Sequence, residues 1–110
     1  MEILKLQAEI CKIFANDKRL GIINLLKDKE MSNIELMKKT GLNKVIISQH
    51  MNVLKSKGVV VVRREGIHLY YRIANPKIIQ ACGLMREVLV EQLREKGKDA
   101  SRLVKASNKK

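Results

Sequence analysis

Apolar residues near the start of the chain recur at the spacing of an α-helix. Ile3, Leu6 and Ile10 follow one another at intervals of three or four residues and predict a helix over residues 2–15. The same periodicity continues in the next stretch, beginning at Leu20. The chain therefore opens with helices and not with strands.

The next three helices each begin at a residue type that caps helix N-termini. Asn16, Ser32 and Asn43 carry side-chain oxygens that can accept a hydrogen bond from a backbone N–H of the first turn. Glu35 stands three residues after Ser32, which is the spacing of a capping box, and Gly41 is placed to end that helix. The predicted helices cover residues 16–29, 32–41 and 43–58.

A change of period after the fourth helix indicates β-structure. Val59–Val62 is a β-branched run, Glu65-Gly66 supplies a turn, and Ile67–Ile73 alternates apolar with polar residues. These features predict a two-stranded antiparallel hairpin, which we call the wing.

A last long helix is predicted from Pro76, which follows the capping residue Asn75, to about Lys96. Its apolar stripe consists of Ile78, Cys82, Met85, Leu89 and Leu93. This stripe can form a dimer interface or belong to the core of a single chain, and the sequence leaves both open.

The order of these elements predicts a mainly α fold with a small β-wing, a winged helix-turn-helix of about five helices. We expect one DNA-binding and dimerisation domain over residues 1–96. Residues 97–110 form a basic tail with five lysines and arginines, which we expect to be flexible.

The charge of the chain narrows the class of partner. The formal net charge is +12 over 110 residues, and residues 32–73 alone hold eight basic and two acidic side chains. Such an excess favours a polyanion, and double-stranded DNA fits the predicted helix-turn-helix. There is no apolar run of about 18 residues and no signal peptide, so we expect a cytoplasmic protein without a membrane partner.

The fourth helix has two distinct faces. Ile47, Met51 and Leu54 share one face and are predicted to be core. The other face has side chains that can read base edges or hold phosphates: Lys44, Val45, Ser48, Gln49, Asn52 and Lys55. On the wing, the candidate DNA contacts are Arg63, Arg64, His68 and Arg72.

Three segments in order resemble the ArsR/SmtB family of winged helix-turn-helix repressors. They are Phe14–Leu20, similar to the opening signature of the family; Leu42–Leu54, similar to its recognition helix; and Arg63–Arg72, similar to its wing. The resemblance covers roughly residues 10–95. It implies a homodimer formed by the first and last helices, which binds an inverted repeat and acts as a transcriptional repressor.

Two metal sites that are common in this family have no counterpart here. Ser32 and Ile34 occupy the places of a Cys-x-Cys motif, and residues 77–96 contain neither Asp nor His. Transition-metal sites need thiolate, imidazole or carboxylate ligands at fixed distances. We therefore expect no metal and no other cofactor.

Cys11 and Cys82 fall on the two helices that the family uses for dimerisation. A cysteine on an apolar helix face is commonly a small buried hydrophobe. The alternative is a thiol effector site that responds to oxidant, reactive sulfur or arsenite. Family members that respond in this way place the early cysteine in the second helix, where this chain has Asn24.

No enzyme signature is present: the chain lacks a glycine-rich phosphate loop, a Ser-His-Asp order and clustered carboxylates. Two functions compete with a sequence-specific regulator. One is a sequence-indifferent architectural DNA-binding protein without an effector, which the high charge favours. The other is a winged-helix module for protein contact, against which the basic wing argues.

Overall fold

The computed structural model describes residues 1–97, and within this range it has five helices and three strands. The helices are α1 (Glu2–Phe14), α2 (Asp17–Leu25), α3 (Asn33–Thr40), α4 (Lys44–Ser56) and α5 (Pro76–Glu95). The strands are β1 (Met31–Ser32), β2 (Val60–Glu65) and β3 (His68–Ile73). The predicted architecture, mainly helical with a β-wing, is confirmed. Nearly all of the predicted basic tail lies outside the described residues.

Side-chain caps begin four of the helices at the predicted positions. Ser32 Oγ accepts from the backbone N–H of Glu35 at 3.1 Å, and Glu35 Oε1 accepts from the N–H of Ser32 at 3.0 Å. This reciprocal pair is the predicted capping box of α3. The other three caps are one-sided: the side-chain oxygens of Asn16, Asn43 and Asn75 each accept from a first-turn backbone N–H of α2, α4 and α5.

The core forms where α2, α3 and α4 pack against one side of the sheet. Ile47, Met51 and Leu54, the predicted core face of α4, are almost completely buried. They pack with residues contributed by the neighbouring elements: Ile22, Ile23, Leu26, Leu36, Val59 and Val60. The helix-turn-helix, formed by α3 and α4, is therefore held in place by the packing of its buried face against the core.

The sheet has three strands, in the order β1-β3-β2, where the sequence predicted two. The extra strand β1 pairs antiparallel with β3 and places Met31 opposite Tyr71 and Ser32 opposite Tyr70. A strand of two residues is too short to show alternation, and Ser32 also serves as a helix cap. For these two reasons β1 could not be predicted from the sequence.

Two other predicted boundaries were wrong. The second helix ends at Leu25 and not near Lys29, because the chain turns there to reach β1. The first wing strand begins at Val60 and continues to Glu65, beyond the valine run. Cross-strand pairing with β3 extends this strand through three charged residues that have low strand propensity of their own.

Many apolar side chains of α1 and α5 are exposed to solvent in the single chain. No residue of α5 is buried; Met85 is 69% exposed and Leu89 is 53% exposed. Exposed apolar residues also cover α1, among them Ile3, Leu4 and Leu6. The α5 stripe is therefore divided: Ile78 and Cys82 pack against the core of the single chain, whereas Met85 and Leu89 are exposed. None of the described helices combines the length and apolar character required to cross a membrane.

Candidate nucleic-acid interface

The outer face of α4 brings together all six residues that the sequence assigned to it. Lys44, Val45, Ser48, Gln49, Asn52 and Lys55 are all exposed. Since the opposite face is buried, these side chains share one solvent-facing arc of the helix. They combine amide groups, a hydroxyl, two cations and an apolar residue, which are the groups that read base edges and phosphates in a DNA groove.

The turn between α3 and α4 fixes the direction of this face. Gly41 has φ 75°, the left-handed conformation that favours glycine, and its N–H donates to the carbonyl of Met37 at 2.9 Å. The Thr40 hydroxyl donates to the carbonyl of Leu36 at 2.6 Å and accepts from the N–H of Leu42 at 3.1 Å. The bend is therefore held by hydrogen bonds on both sides of Gly41.

The register of the wing separates its two arginines. Side chains alternate along a strand, and directly paired residues share a face. Arg64 pairs with Leu69 and lies on the face that carries the buried Tyr71. Arg63 pairs with Tyr70 and lies on the outer face, as do the Val61–Arg72 and Glu65–His68 pairs. The two neighbouring cations thus point to opposite sides of the sheet.

Arg63 is held by two carboxylates. Its Nε lies 2.9 Å from Glu30 Oε2 and its Nη2 lies 2.7 Å from Glu30 Oε1, while Nη1 donates to Glu65. The hydrogen bond from Arg63 holds the pKa of Glu30 below its ordinary value, and the two carboxylates raise the pKa of Arg63. The guanidinium carbon also lies 4.4 Å from the centre of the Tyr70 ring.

The other predicted wing contacts are arranged differently. Arg64 and Arg72 are exposed, and among the described residues neither forms an ion pair with a carboxylate. The His68 ring packs edge-on to Tyr70 with ring centres 6.5 Å apart. Sequence reasoning missed Glu30, whose role depends on a partner 33 residues away in the chain. No local pattern points to it.

The two cysteines lie in different surroundings. Cys11 is exposed on α1. Cys82 is half-buried and lines a cavity of about 80 Å³ between α2 and α5, together with Asn24 and Arg86. Burial raises the pKa of the Cys82 thiol, and the charge of Arg86 opposes this only in part. Both thiols are free in the structure.

His50 lies on α4, where it is affected by the charges of two residues of α2. It is half-buried, and this burial lowers its pKa below the ordinary value of 6.5. The positive charges of Arg19 and Lys18 lower the pKa further. The fold therefore disfavours the charged imidazolium. Among the described residues, no group of three or more His, Cys, Asp or Glu side chains could hold a metal ion.

Comparison with known proteins gives similarity over most of the chain. The profile described as bacterial regulatory protein, arsR family, matches residues 16–62. The uncharacterized HTH-type transcriptional regulator Rv0081 of Mycobacterium tuberculosis is 37% identical over 93 residues, which make up 84% of this chain and 82% of the relative. The crystal structure of Rv0081 aligns with a TM-score of 0.79 at 35% identity, covering 87% of this chain and 97% of that one.

A second solved structure adds the oligomeric state of a neighbour. It is the solution structure of a homodimeric winged helix-turn-helix DNA-binding domain, Mb0332 from Mycobacterium bovis. It aligns with a TM-score of 0.78 at 35% identity and covers 86% of this chain and 87% of its own.

From the lowered pKa of His50 we predict that the fold loses stability on mild acidification. Because its pKa is lowered in the fold, the unfolded chain takes up a proton first as the pH falls through 6.5, which favours unfolding. We expect the free energy of unfolding to decrease between about pH 7.5 and about pH 5.5, the range in which histidine titrates. His50→Gln should remove part of this decrease. Urea unfolding of both proteins at the two pH values measures it, and an equal decrease in both would contradict the assignment.

Proposed function

The chain belongs to the ArsR family of winged helix-turn-helix transcriptional regulators, and we propose that it is a dimeric repressor that binds an inverted repeat in double-stranded DNA. The observation that carries this proposal is the outer face of α4. Six exposed residues of base-reading and phosphate-binding type lie there, on the second helix of a helix-turn-helix.

The proposed roles follow from the position of each side chain. Gln49 and Asn52 offer amide groups that can pair with adenine, and Ser48 offers a hydroxyl to a base or a phosphate. Exposed Val45 can contact a thymine methyl group. Lys44 and Lys55, at the two ends of the same face, are suited to the phosphates on either side of the groove.

Dimerisation explains the open faces of α1 and α5. Contiguous apolar surface of this kind on a small domain marks an interaction site. The Mb0332 domain, which shares the fold at 35% identity, is described as homodimeric. A two-fold dimer presents two α4 helices related by symmetry, and such an arrangement matches a DNA sequence that is itself an inverted repeat.

Repression is the simplest consequence of this architecture. A dimer whose two helices and two wings occupy one side of a promoter excludes other proteins from the same DNA. Activation would need an additional surface that recruits the transcription machinery. The decisive experiment is recovery of bound fragments from genomic DNA, followed by transcription assays on the enriched promoter with and without the protein.

The proposal differs measurably from a sequence-indifferent architectural DNA-binding protein. Both would bind DNA through charge, and both affinities would fall with salt. Only a regulator enriches particular genomic fragments and binds them more tightly than mixed-sequence DNA at the same salt concentration. A protein-contact module would show neither property.

For a thiol-based response we propose Cys82 as the central residue. It lies in the crevice between α2 and α5, so a modification there would change the packing of a helix that we assign to the dimer interface. Its raised pKa argues against a reactive thiolate, because the thiolate is the nucleophilic form. Cys11 is exposed on α1, the other helix that we assign to the dimer interface, and is the more accessible of the two thiols.

Gln49→Ala tests the assignment of the reading helix. Loss of one bidentate base contact should cost roughly 1–3 kcal/mol of binding and weaken the preference at one base-pair position. Gln80→Ala is the matched control, since it makes the same chemical change at an exposed position of α5. Fluorescence anisotropy on the enriched fragment and its single-base variants measures both effects. Unchanged affinity and preference in Gln49→Ala would show that α4 does not read bases.

Leu89→Glu tests the dimer interface. Burying a carboxylate against the partner should weaken association by several kcal/mol. Gln80→Glu adds the same charge nine residues away, on the opposite side of α5, and should leave association unchanged. Sedimentation velocity at micromolar concentration reports the oligomeric state. A wild-type protein that sediments as a monomer would refute the interface outright.

The thiol hypothesis is tested with three variants: Cys11→Ser, Cys82→Ser and the double variant. If Cys82 senses oxidant, polysulfide or arsenite, these agents should lower the DNA affinity of the wild type and of Cys11→Ser but not that of Cys82→Ser. Anisotropy titrations with and without each agent provide the comparison. Equal responses in wild type and double variant would place any effector elsewhere and leave the cysteines structural.

A further inference from the structure

The outer face of the wing contains a cluster formed by Arg63, Glu30, Glu65 and Tyr70. Resting on the DNA-binding function proposed above, we propose that Arg63 does not contact DNA but positions the wing. Glu30 is its anchor, and the neighbouring Arg64 makes the phosphate contact of the wing. This assigns a positioning role to Glu30, a residue outside the reading helix and the hairpin.

Three of the five N–H groups of the Arg63 guanidinium are already used within the chain. All three of its nitrogens donate: Nε and Nη2 to the two oxygens of Glu30, and Nη1 to Glu65. The fork of the guanidinium matches a carboxylate in this two-bond geometry, which gives direction as well as attraction. A phosphate could reach only the two remaining N–H groups, one on each Nη, unless it replaced contacts that are already made.

The charge balance of the cluster opposes DNA contact through Arg63. Within the ion-paired cluster one guanidinium faces two carboxylates, and Arg72, on the same outer face, adds a positive charge near Glu30 without forming an ion pair with it. If Arg63 moved onto a phosphate, Glu30 and Glu65 would lose their ion-pair partner. Their negative charges would then lie unpaired close to the DNA. Held by Arg63, the same carboxylates are neutralised in part and kept on the outer face.

Tyr70 restricts the remaining freedom of the arginine. It is the direct cross-strand partner of Arg63, and its ring lies beneath the guanidinium, 4.4 Å from Cζ to the ring centre. A cation above an aromatic face is attracted by the electron density of the ring. The Tyr70 ring thus restricts the plane of the guanidinium, and the two carboxylates hold its N–H groups by hydrogen bonds.

The position of Glu30 shows what the cluster connects. Glu30 immediately precedes β1, and two residues later Ser32 begins the capping box of α3, the first helix of the helix-turn-helix. β1 itself joins the sheet through only two residue pairs. The Glu30–Arg63 pair therefore adds a polar tie between the start of the helix-turn-helix and the hairpin, beside the packing of α3 against β3 and of α4 against β2, and it helps to set where the wing stands relative to α4.

Arg64 provides an internal contrast. It is adjacent in sequence and carries the same charge, but it lies on the other face of the sheet. Among the residues that the structure describes, it forms no ion pair. Its charge is therefore available to a phosphate without the loss of an existing contact.

The test compares Arg63→Lys, Arg63→Ala, Glu30→Gln and Arg64→Ala as full-length dimers. Lysine keeps the charge but loses the fork, so a positioning role predicts that Arg63→Lys weakens binding to the enriched genomic fragment severalfold. Glu30→Gln should weaken it to a similar extent. On a mixed-sequence duplex, Arg64→Ala should flatten the dependence of log K on log salt by about 0.9 per protomer. Arg63→Ala should leave that slope unchanged.

Amide hydrogen exchange of the free proteins gives a second readout that does not involve DNA. Exchange in the hairpin, residues 60–73, should become faster in Arg63→Lys and Glu30→Gln but not in Arg64→Ala. The ion pair is partly exposed to solvent, so its loss should hardly affect global stability. Circular dichroism and thermal unfolding confirm that each variant is folded.

Three results would overturn the inference: Arg63→Lys binding like wild type, Arg63→Ala flattening the salt slope as Arg64→Ala does, or Glu30→Gln binding as tightly as wild type or more tightly. Failure of the proposed function looks different. In that case the wild-type protein enriches no genomic fragment and Gln49→Ala has no effect, whereas the exchange experiment still reports whether Arg63 holds the wing.

Discussion

The complete burial of one face of α4 is the constraint on which the rest of the structure depends. An α-helix repeats about every 3.6 residues, so burial of Ile47, Met51 and Leu54 turns the opposite face of α4 towards solvent. The turn at Gly41 and the packing of α2, α3 and the sheet all secure that orientation. The side chains that we propose to face DNA are thus placed by apolar residues on the opposite, buried side of the same helix.

The features that the sequence predicted are those that rest on neighbouring residues. The caps at Ser32 and Asn43 and the two faces of α4 depend on spacings of three or four residues, which can be read directly. Strand β1 and the Glu30–Arg63 contact could not be read, because they depend on which distant segments the fold brings together. The same reason explains why two adjacent arginines, alike in sequence, acquire different surroundings.

Positive charge is consequently a poor guide to where a basic protein binds. The chain carries a formal charge of +12, and this excess attracts polyanions over long distances. At short range the outcome depends on which cations are already engaged by carboxylates. In the described part of the chain, Arg63 is engaged twice, and Lys57 pairs with Glu9 at 3.3 Å. The recognition surface is defined by this internal pairing as much as by composition.

The open faces of α1 and α5 also link the stability of the protein to its abundance. In a dimer closed through these faces, much of the apolar burial is gained only on association, so unfolding and dissociation are coupled. The melting temperature then rises with protein concentration, and dilution exposes the chain to unfolding and degradation. A cell that makes few copies would hold fewer assembled dimers than copy number alone suggests. Occupancy of the DNA would therefore follow synthesis more steeply than in proportion.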